Sequence, residues 1–474
     1  MANVLLYAVV MGKLVIIQDG NSGYPARVAA FGRGTLAALA GRTRRLPLHE
    51  HRYGYNFVMR AVVAGCVLLL ISLRVSAQQQ TTGPATSAPV TVPAVIDHNR
   101  VVIKVDIPLP DGSSQTVRAW VDNGNPELEM SRRIASVLGL ELTCGEQECS
   151  APPPREILVG GMAISLAGLK EAKIPLRPVS AASVLALGMN AEINIPSTIL
   201  RHYDVLIDFP DRKFSIGLPG TIRFRGAGGK VLVNAENGLI QVPSQIEGKK
   251  YNLALDVGSC ISFLSEDLFD KIAVVHPDWP RITGAVGSAN MWGADEETKW
   301  KVMRLDRLQY GPLFLTNVAT VALPKATVDF FEKRAGTSTA GLVGSNELLN
   351  YRVGLDYAHS AVYFELGRAF NFPDFDVVGL VLRPEDDGRF TVLGVVDFEG
   401  KPSVTGVQAG DHLVAMNDIP LRGSTMGEVW SMLGGTPGKE KKLTLERAGK
   451  QFSVLAKVQH FLGDVPEEEE KRKK

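Results

Sequence analysis

A chain of 474 residues is long enough for about two to four domains, and 45% hydrophobic with 21% charged residues is the balance of a globular protein. Lys and Arg total 51 against 50 Asp and Glu, a net charge of +1, which leaves no electrostatic case for nucleic acid or for an acidic substrate. Forty-seven glycines and 27 prolines, set among many short Val/Ile/Leu runs, predict a mainly β architecture.

Residues 1–57 carry Arg42, Arg44 and Arg45 and show no helical or strand period. Gly20-Asn21-Ser22-Gly23 superficially matches a serine nucleophile loop, but no histidine precedes His49 and the match falls outside any expected domain. Met59-Arg60, the apolar run Ala61–Leu73 and Val75-Ser76-Ala77 read as a secretory signal peptide within an N-terminal extension (1–77). The expected start is then Met59 and the product is exported, periplasmic or secreted. The run is short of the ~20 residues that span a bilayer. An uncleaved anchor is the other reading. Val63-Ala64-Gly65-Cys66 fits a lipoprotein box, but the apolar core continues past the cysteine. Residues 78–97, rich in Gln, Thr, Pro, Ala and Ser, are expected to form a disordered linker.

Val101 to Leu109, the turn Pro110-Asp111-Gly112 and the run Thr116 to Val121 come next, ending on Asp122-Asn123-Gly124-Asn125. An apolar strand that delivers a carboxylate into a glycine turn lets backbone N–H groups and nearby hydroxyls hold it, as a catalytic aspartate requires. Ser131 reads as the N-cap of a short amphipathic helix. Cys144 and Cys149 bracket a hairpin-like loop whose ends can meet within disulfide range if the protein is exported. A zinc site would need two further ligands, and the eight histidines show no metal spacing. Leu200 to Phe209, containing Tyr203-Asp204-Val205, closes this copy.

The construction then repeats. Leu239 to Ile246, a Glu247-Gly248 turn and Tyr251 to Leu255 end on Asp256-Val257-Gly258-Ser259, with Ser265 as the second N-cap and Leu348 to Tyr357 as the second closing run. Cys260 is expected to be a buried small apolar residue, since no His–Cys pairing is visible. Ile282 to Asn290 reads either as a mobile, glycine-rich flap over a cleft or as a plain surface loop. The first copy, with Ala151-Pro152-Pro153-Pro154, has little room for a flap. A repeat of well over a hundred residues is a duplicated domain.

At these residues the chain resembles the aspartic proteases, in particular the retropepsin-like aspartyl proteases of bacteria. Their signature is Asp-Thr-Gly-Ser/Ala after a hydrophobic strand, followed later by two apolar residues and a glycine. Gly341-Leu342-Val343-Gly344 is similar to that second element. The resemblance covers roughly residues 98–368 and implies two pepsin- or retropepsin-like β lobes in tandem, 98–220 and 221–368. It implies Asp122 and Asp256 as the catalytic pair, Gly124, Gly258 and Ser259 as their turns, polypeptide substrates, and no metal or cofactor. One aspartate per copy implies a monomer, with a homodimer as the alternative.

Past a short connector, Val378-Gly379-Leu380-Val381-Leu382 and Gly406-Val407-Gln408-Ala409-Gly410-Asp411-His412-Leu413 resemble PDZ domains over residues 372–460. Thr425 to Leu433 suits the groove helix of that family, a β-barrel with two helices, and Lys442 to Arg447 a closing strand. The resemblance implies that peptide C-termini add as a strand beside Val378, Gly379, Leu380 and Val381. A domain that only packs on its neighbour is the alternative. Residues 461–474 read as a charged, disordered tail.

The chain departs from the protease pattern in ways that bear on activity. Asn123 and Val257 stand where the family has threonines that bond across the lobes, Asn125 replaces a small residue, and Ile193-Asn194-Ile195-Pro196 takes the place of the apolar-apolar-glycine element in the first copy. Valine cannot make the lost bond, at a cost of ~1 kcal/mol or more. Two functions are therefore carried forward: an exported aspartic endopeptidase with a peptide-binding C-terminal domain, and a catalytically inactive relative that binds peptides or proteins.

Overall fold

Alternating apolar residues from Val90 onward already make strand, and the mainly β architecture builds outward from there. The computed structural model describes residues 6–10, 13–17, 88–146, 148–175, 188, 190–368, 374–385 and 387–466. The expected signal peptide, the linker as far as residue 87 and the tail from residue 467 lie outside them. The first residues of the expected disordered tail are instead packed, Phe461 and Leu462 being buried and Gly463 O accepting from Arg304. Leu6–Val10 pairs antiparallel with Lys13–Ile17, a strand period not evident in the sequence of 1–57. No described helix is long and apolar enough to cross a membrane.

Val90–Asp97 (β1) corrects the expected linker: it pairs with strands on both sides. Its Thr and Pro content suggested a linker, but Val92, Ala94 and Ile96 alternate with period two, and Pro93 is accommodated in the pairing with Lys213. In the first copy Arg100–Pro108 (β2) and Ser114–Asp122 (β3) form a hairpin, Arg132–Val137 (α1) follows, and Ile193–Pro196 (β4) runs parallel to β3, with Pro196 level with Asp122. Asp204–Asp208 (β5) and Lys213–Gly217 (β6) close it. The Ser131 hydroxyl accepts the N–H of Ile134 and caps α1 as expected. Cys144 and Cys149 face each other across an antiparallel pair and are joined as a disulfide.

The second copy begins with Ala227–Lys230 (β7), Ile240–Ile246 (β8), Lys249–Leu255 (β9) and Ser262–Ser265 (β10), then Glu266–Val275 (α2), capped by Ser265. Lys301–Tyr310 (β11) and Leu313–Leu323 (β12) lead to Lys325–Ala335 (α3). Gly341–Val343 (β13) is parallel to β9, with Leu255 level with Val343. Tyr351–Asp356 (β14) and Ala361–Leu366 (β15) finish the copy. The two closing runs pair with each other: β5 and β14 are antiparallel, Asp204 opposite Asp356 and Asp208 opposite Arg352, whose Nε donates to the Asp208 carboxylate at 2.7 Å. The order β1-β6-β5-β14-β15-β7 therefore threads one sheet through both copies, and one apolar core, including Val121, Ile193, Leu255, Val343 and Val353, spans them.

A further sheet has the order Leu380–Pro384 (β16), Phe390–Val395 (β17), His412–Met416 (β18), Glu440–Arg447 (β19) and Lys450–Lys457 (β20), with the helix Met426–Leu433 (α4) between β18 and β19. Thr425 and Glu428 cap α4 reciprocally. This sheet shares one buried core with the second copy: Cys260, Phe263, Ala285 and Val286 pack in the same cluster as Val378, Leu380, Leu382 and Trp430.

That shared core overturns the flap. Ala285, Val286 and Asn290 are fully buried, and the glycines of this stretch serve close approach rather than mobility. A Cβ on Gly284 would lie 2.6 Å from Val396, and one on Gly287 2.2 Å from the carbonyl oxygen of Asp374. It also borders the edge expected to take peptides. Val378, Leu380 and Val381 are buried, a Cβ on Gly379 would lie 2.2 Å from Ser403 Oγ, and the next N–H and C=O along the edge, those of Leu382, are both bonded to the Asn290 amide at 2.8 and 3.0 Å.

Candidate active site

β3 and β9 each bury their last apolar residue, Val121 and Leu255, and so deliver Asp122 and Asp256 to the same place between the copies. Asp122 Oδ1 accepts the N–H of Gly124 at 3.1 Å. Asp256 Oδ1 accepts the N–H groups of Gly258 at 2.8 Å and Ser259 at 3.1 Å. The serine hydroxyl expected to join them turns away instead, donating to the carbonyl of Ile261 at 2.6 Å.

The two glycines show how close the carboxylates stand. A Cβ on Gly124 would lie 2.2 Å from Asp256 Cγ, and one on Gly258 would lie 2.3 Å from Asp122 Oδ1. Neither glycine has a left-handed backbone. The residue is demanded by the opposite carboxylate, which needs the space, and not by the turn itself.

Burial alone disfavours charge on both acids. Asp122, 3% exposed, is pushed well above the usual carboxylate range by burial, then by the negative charges of Asp256 and Glu129. Asp256 is raised by burial to about 6, against the opposing pull of the Gly258 and Ser259 N–H groups and the Arg100 guanidinium. Two such groups titrate as one unit and hold a proton between them over a wide acidic range.

Asn123 replaces the missing threonines. Its Nδ2 donates to Leu255 O at 2.7 Å and its Oδ1 accepts the N–H of Val257 at 2.8 Å, so one side chain clasps the backbone on both sides of Asp256. The Ser345 hydroxyl holds the Val257 carbonyl at 2.9 Å. Asn123 thus bonds across the join from the first turn, whereas Val257, with no polar side-chain atom, returns no bond of its own. Asn125 accepts from Arg334 Nη2 at 2.8 Å and donates to Glu129 at 3.2 Å, tying α3 to the first turn. The N–H of Ser197 donates to Asn125 O at 2.9 Å, as that of Ser345 does to Ser259 O at 2.8 Å, so the two turns are held by equivalent bonds.

Pro196 lies level with Asp122 where Gly344 follows Val343 beside Asp256. Gly344 uses its N–H on Ser262 Oγ at 3.0 Å, and a Cβ there would meet Ile261 O at 2.3 Å. Proline has no N–H to give, so this element survives only in the second copy.

Arg100 was not found from the sequence. It is fully buried, donating from Nε to Gly258 O at 3.1 Å and from Nη2 to Met291 O at 2.8 Å. The only signal was a cation at the head of the apolar strand Val101-Val102-Ile103. Val378, Gly379, Leu380 and Val381 do not join the carboxylates, and Cys144 and Cys149 lie on a separate hairpin.

A narrow cavity reaches Asp256 between Gly124, Gln241, Phe331, Arg334 and Leu342. A wider one of about 890 Å³, lined by Lys250, Asn252, Glu266 and Lys325 among others, touches neither aspartate. Among the described residues no group of three or more His, Cys, Asp or Glu is arranged to hold a metal ion.

No family model and no curated protein matches the chain. Among solved structures it is similar to the aspartic proteinase from Irpex lacteus, at 10% identity and a TM-score of 0.37 over 59% of this chain and 98% of that one.

Proposed function

We propose that this protein is a single-chain aspartic endopeptidase of two tandem β lobes, in which Asp122 and Asp256 together activate a water molecule for attack on a peptide bond. The observation that carries the reading is reciprocal: each aspartate occupies the space that a side chain on the other copy's turn glycine would fill. Two carboxylates so close cannot both ionise cheaply.

The more deeply buried Asp122, with Glu129 adding repulsion, keeps the shared proton and polarises the scissile carbonyl. Asp256, held by two N–H groups and beside a guanidinium, is the base that takes a proton from water. The proton returns to the leaving amine, so neither metal, cofactor nor covalent intermediate is needed. Export, with a signal peptide at 59–77, would put the Cys144–Cys149 bond in an oxidising compartment. The C-terminal sheet, read as a PDZ domain, would take a peptide terminus at β16 only after Asn290 is displaced from Leu382.

The test is to incubate purified protein with an unfolded protein between about pH 3 and pH 8, with Asp256→Asn as control. Cleavage at acidic pH that vanishes in the control is expected. The 3% exposure of Asp122 favours the second reading, an inactive peptide-binding module. Binding of unfolded chains by wild type and control alike, with no cleavage by either, decides for it.

A further inference from the structure

Arg100 opens β2, immediately after the turn at His98 and Asn99, and none of its side chain reaches solvent (0% exposed). Burying a guanidinium is expensive unless its donors find acceptors. Two of them do: Nε donates to Gly258 O, in the turn that carries Asp256, and Nη2 donates to Met291 O. The guanidinium carbon also lies 5.8 Å from the centre of the Trp120 ring.

Met291 belongs to a segment held at its other side by the C-terminal sheet. The Asn290 amide is bonded to both the N–H and the C=O of Leu382, and it donates to Glu297, which is itself fully buried and accepts the N–H of Trp292 at 2.6 Å. Leu382, Asn290, Met291, Arg100 and Gly258 thus make a continuous buried line from β16 to the Asp256 turn.

We propose that Arg100 is a positioning residue for the Asp256 turn and that the segment 290–297 keeps it in register with the C-terminal sheet. In its consequence for catalysis this rests on the endopeptidase reading. Arg100 acts through Gly258 and through its charge. The other groups that bear on Asp256 are Asp122 across the pair, the buried Cys260 thiol, and Tyr310 from β11, whose hydroxyl donates to Ala254 O at 3.1 Å. Glu129 and Arg334 act on Asp122, and Glu297, His98, Asp97 and Cys260 share the surroundings of Arg100.

The experiment uses the full chain as wild type, Arg100→Met and Arg100→Lys, each with and without Asp256→Asn. Cleavage rate and thermal unfolding midpoint are followed over the same pH range. Removing a cation beside a carboxylate makes that carboxylate hold its proton more tightly. Arg100→Met is therefore expected to move the pH–rate limbs up by about one pH unit. It should also lower the maximal rate at least ~10-fold through loss of position.

Arg100→Lys keeps the charge but cannot reach Gly258 O and Met291 O together. It should leave the limbs in place while losing rate, and it serves also if the Met variant does not fold. The unfolding profile of Arg100→Met should shift in the same direction, and adding Asp256→Asn should reduce the shift, the remainder coming from Glu297, His98 and Asp97, on which Arg100 also acts. A uniform rate loss with unmoved limbs, or an unfolding shift that Asp256→Asn leaves unchanged, overturns the proposal. If wild type cleaves nothing, the endopeptidase reading fails and the unfolding profiles alone decide the role of Arg100. Asn290→Ala, at the far end of the line, is expected to lower the rate several-fold. A wild-type rate there overturns the link to the C-terminal sheet.

Discussion

The amide of Asn123 accepts the N–H of Val257 at 2.8 Å, a bond from the first aspartate turn to the second across the join of the two copies. The same side chain donates to Leu255 O at 2.7 Å, so both bonds depend on one residue that is wholly buried. Asn123→Ala leaves a buried N–H and a buried C=O unpaired, and the expected loss of stability is about 2–4 kcal/mol. Urea unfolding measures it. A loss under ~0.5 kcal/mol would mean that water or a backbone shift meets both groups, and that the join does not depend on Asn123.

Gly124 and Gly258 test the closeness of the carboxylates themselves. The Cβ of Gly124→Ala would fall 2.2 Å from Asp256 Cγ, and that of Gly258→Ala 2.3 Å from Asp122 Oδ1. Either must push an aspartate aside by about an ångström, a misplacement that costs on the order of 100-fold in rate. Each variant is expected to fold and to cleave at least that much more slowly. A variant as active as wild type would show that the aspartates do not need the space.

Glu297 supplies a pH dependence that can be separated from the pair. Burial pushes it to about 7, with the bonds from Asn290, Trp292 and Ala294 pulling the other way. A carboxyl whose folded value lies above its unfolded one stabilises the fold fully below the unfolded value, and that contribution is lost as pH rises through the folded value. From about pH 4.5 to pH 7 the wild type should therefore lose on the order of 2–3 kcal/mol through this group. Glu297→Gln cannot ionise, and its stability should be flatter over that window by the same amount. Parallel curves for the two proteins would show that Glu297 does not ionise there.

What was legible in the sequence was local. The strands that deliver Asp122 and Asp256 could be read because a strand ending on a carboxylate and a glycine is written in consecutive residues, and the caps Ser131 and Ser265 because a cap acts three residues away. The mainly β character followed from composition. The missed features depend on what lies across the chain. Asn123 looked like erosion until its partner at Val257 was in view. The glycines of 282–290 suggested a flap because nothing in their own stretch shows Val396 or the Asp374 carbonyl pressed against them. A buried Arg100 cannot be told from an exposed one by its neighbours in sequence.

The last prediction rests on the proposed pairing of Asp122 with Asp256 within one chain. β5 and β14 join the two halves in one sheet, with Asp208 and Arg352 paired across it. Each molecule then carries its own Asp122 and Asp256. Asp122→Asn and Asp256→Asn should each abolish cleavage, and mixing the two should restore none, because no exchange can reunite two aspartates without unfolding the shared sheet. Specific activity should be independent of protein concentration. The rate should fall as pH rises, since the raised values of both acids mean that the working proton is lost on that side. The decisive comparison is between the two single variants. If Asp122→Asn cleaves as wild type does while Asp256→Asn is dead, the pair is not made within one chain. The second copy of one molecule would then have to meet the second copy of another.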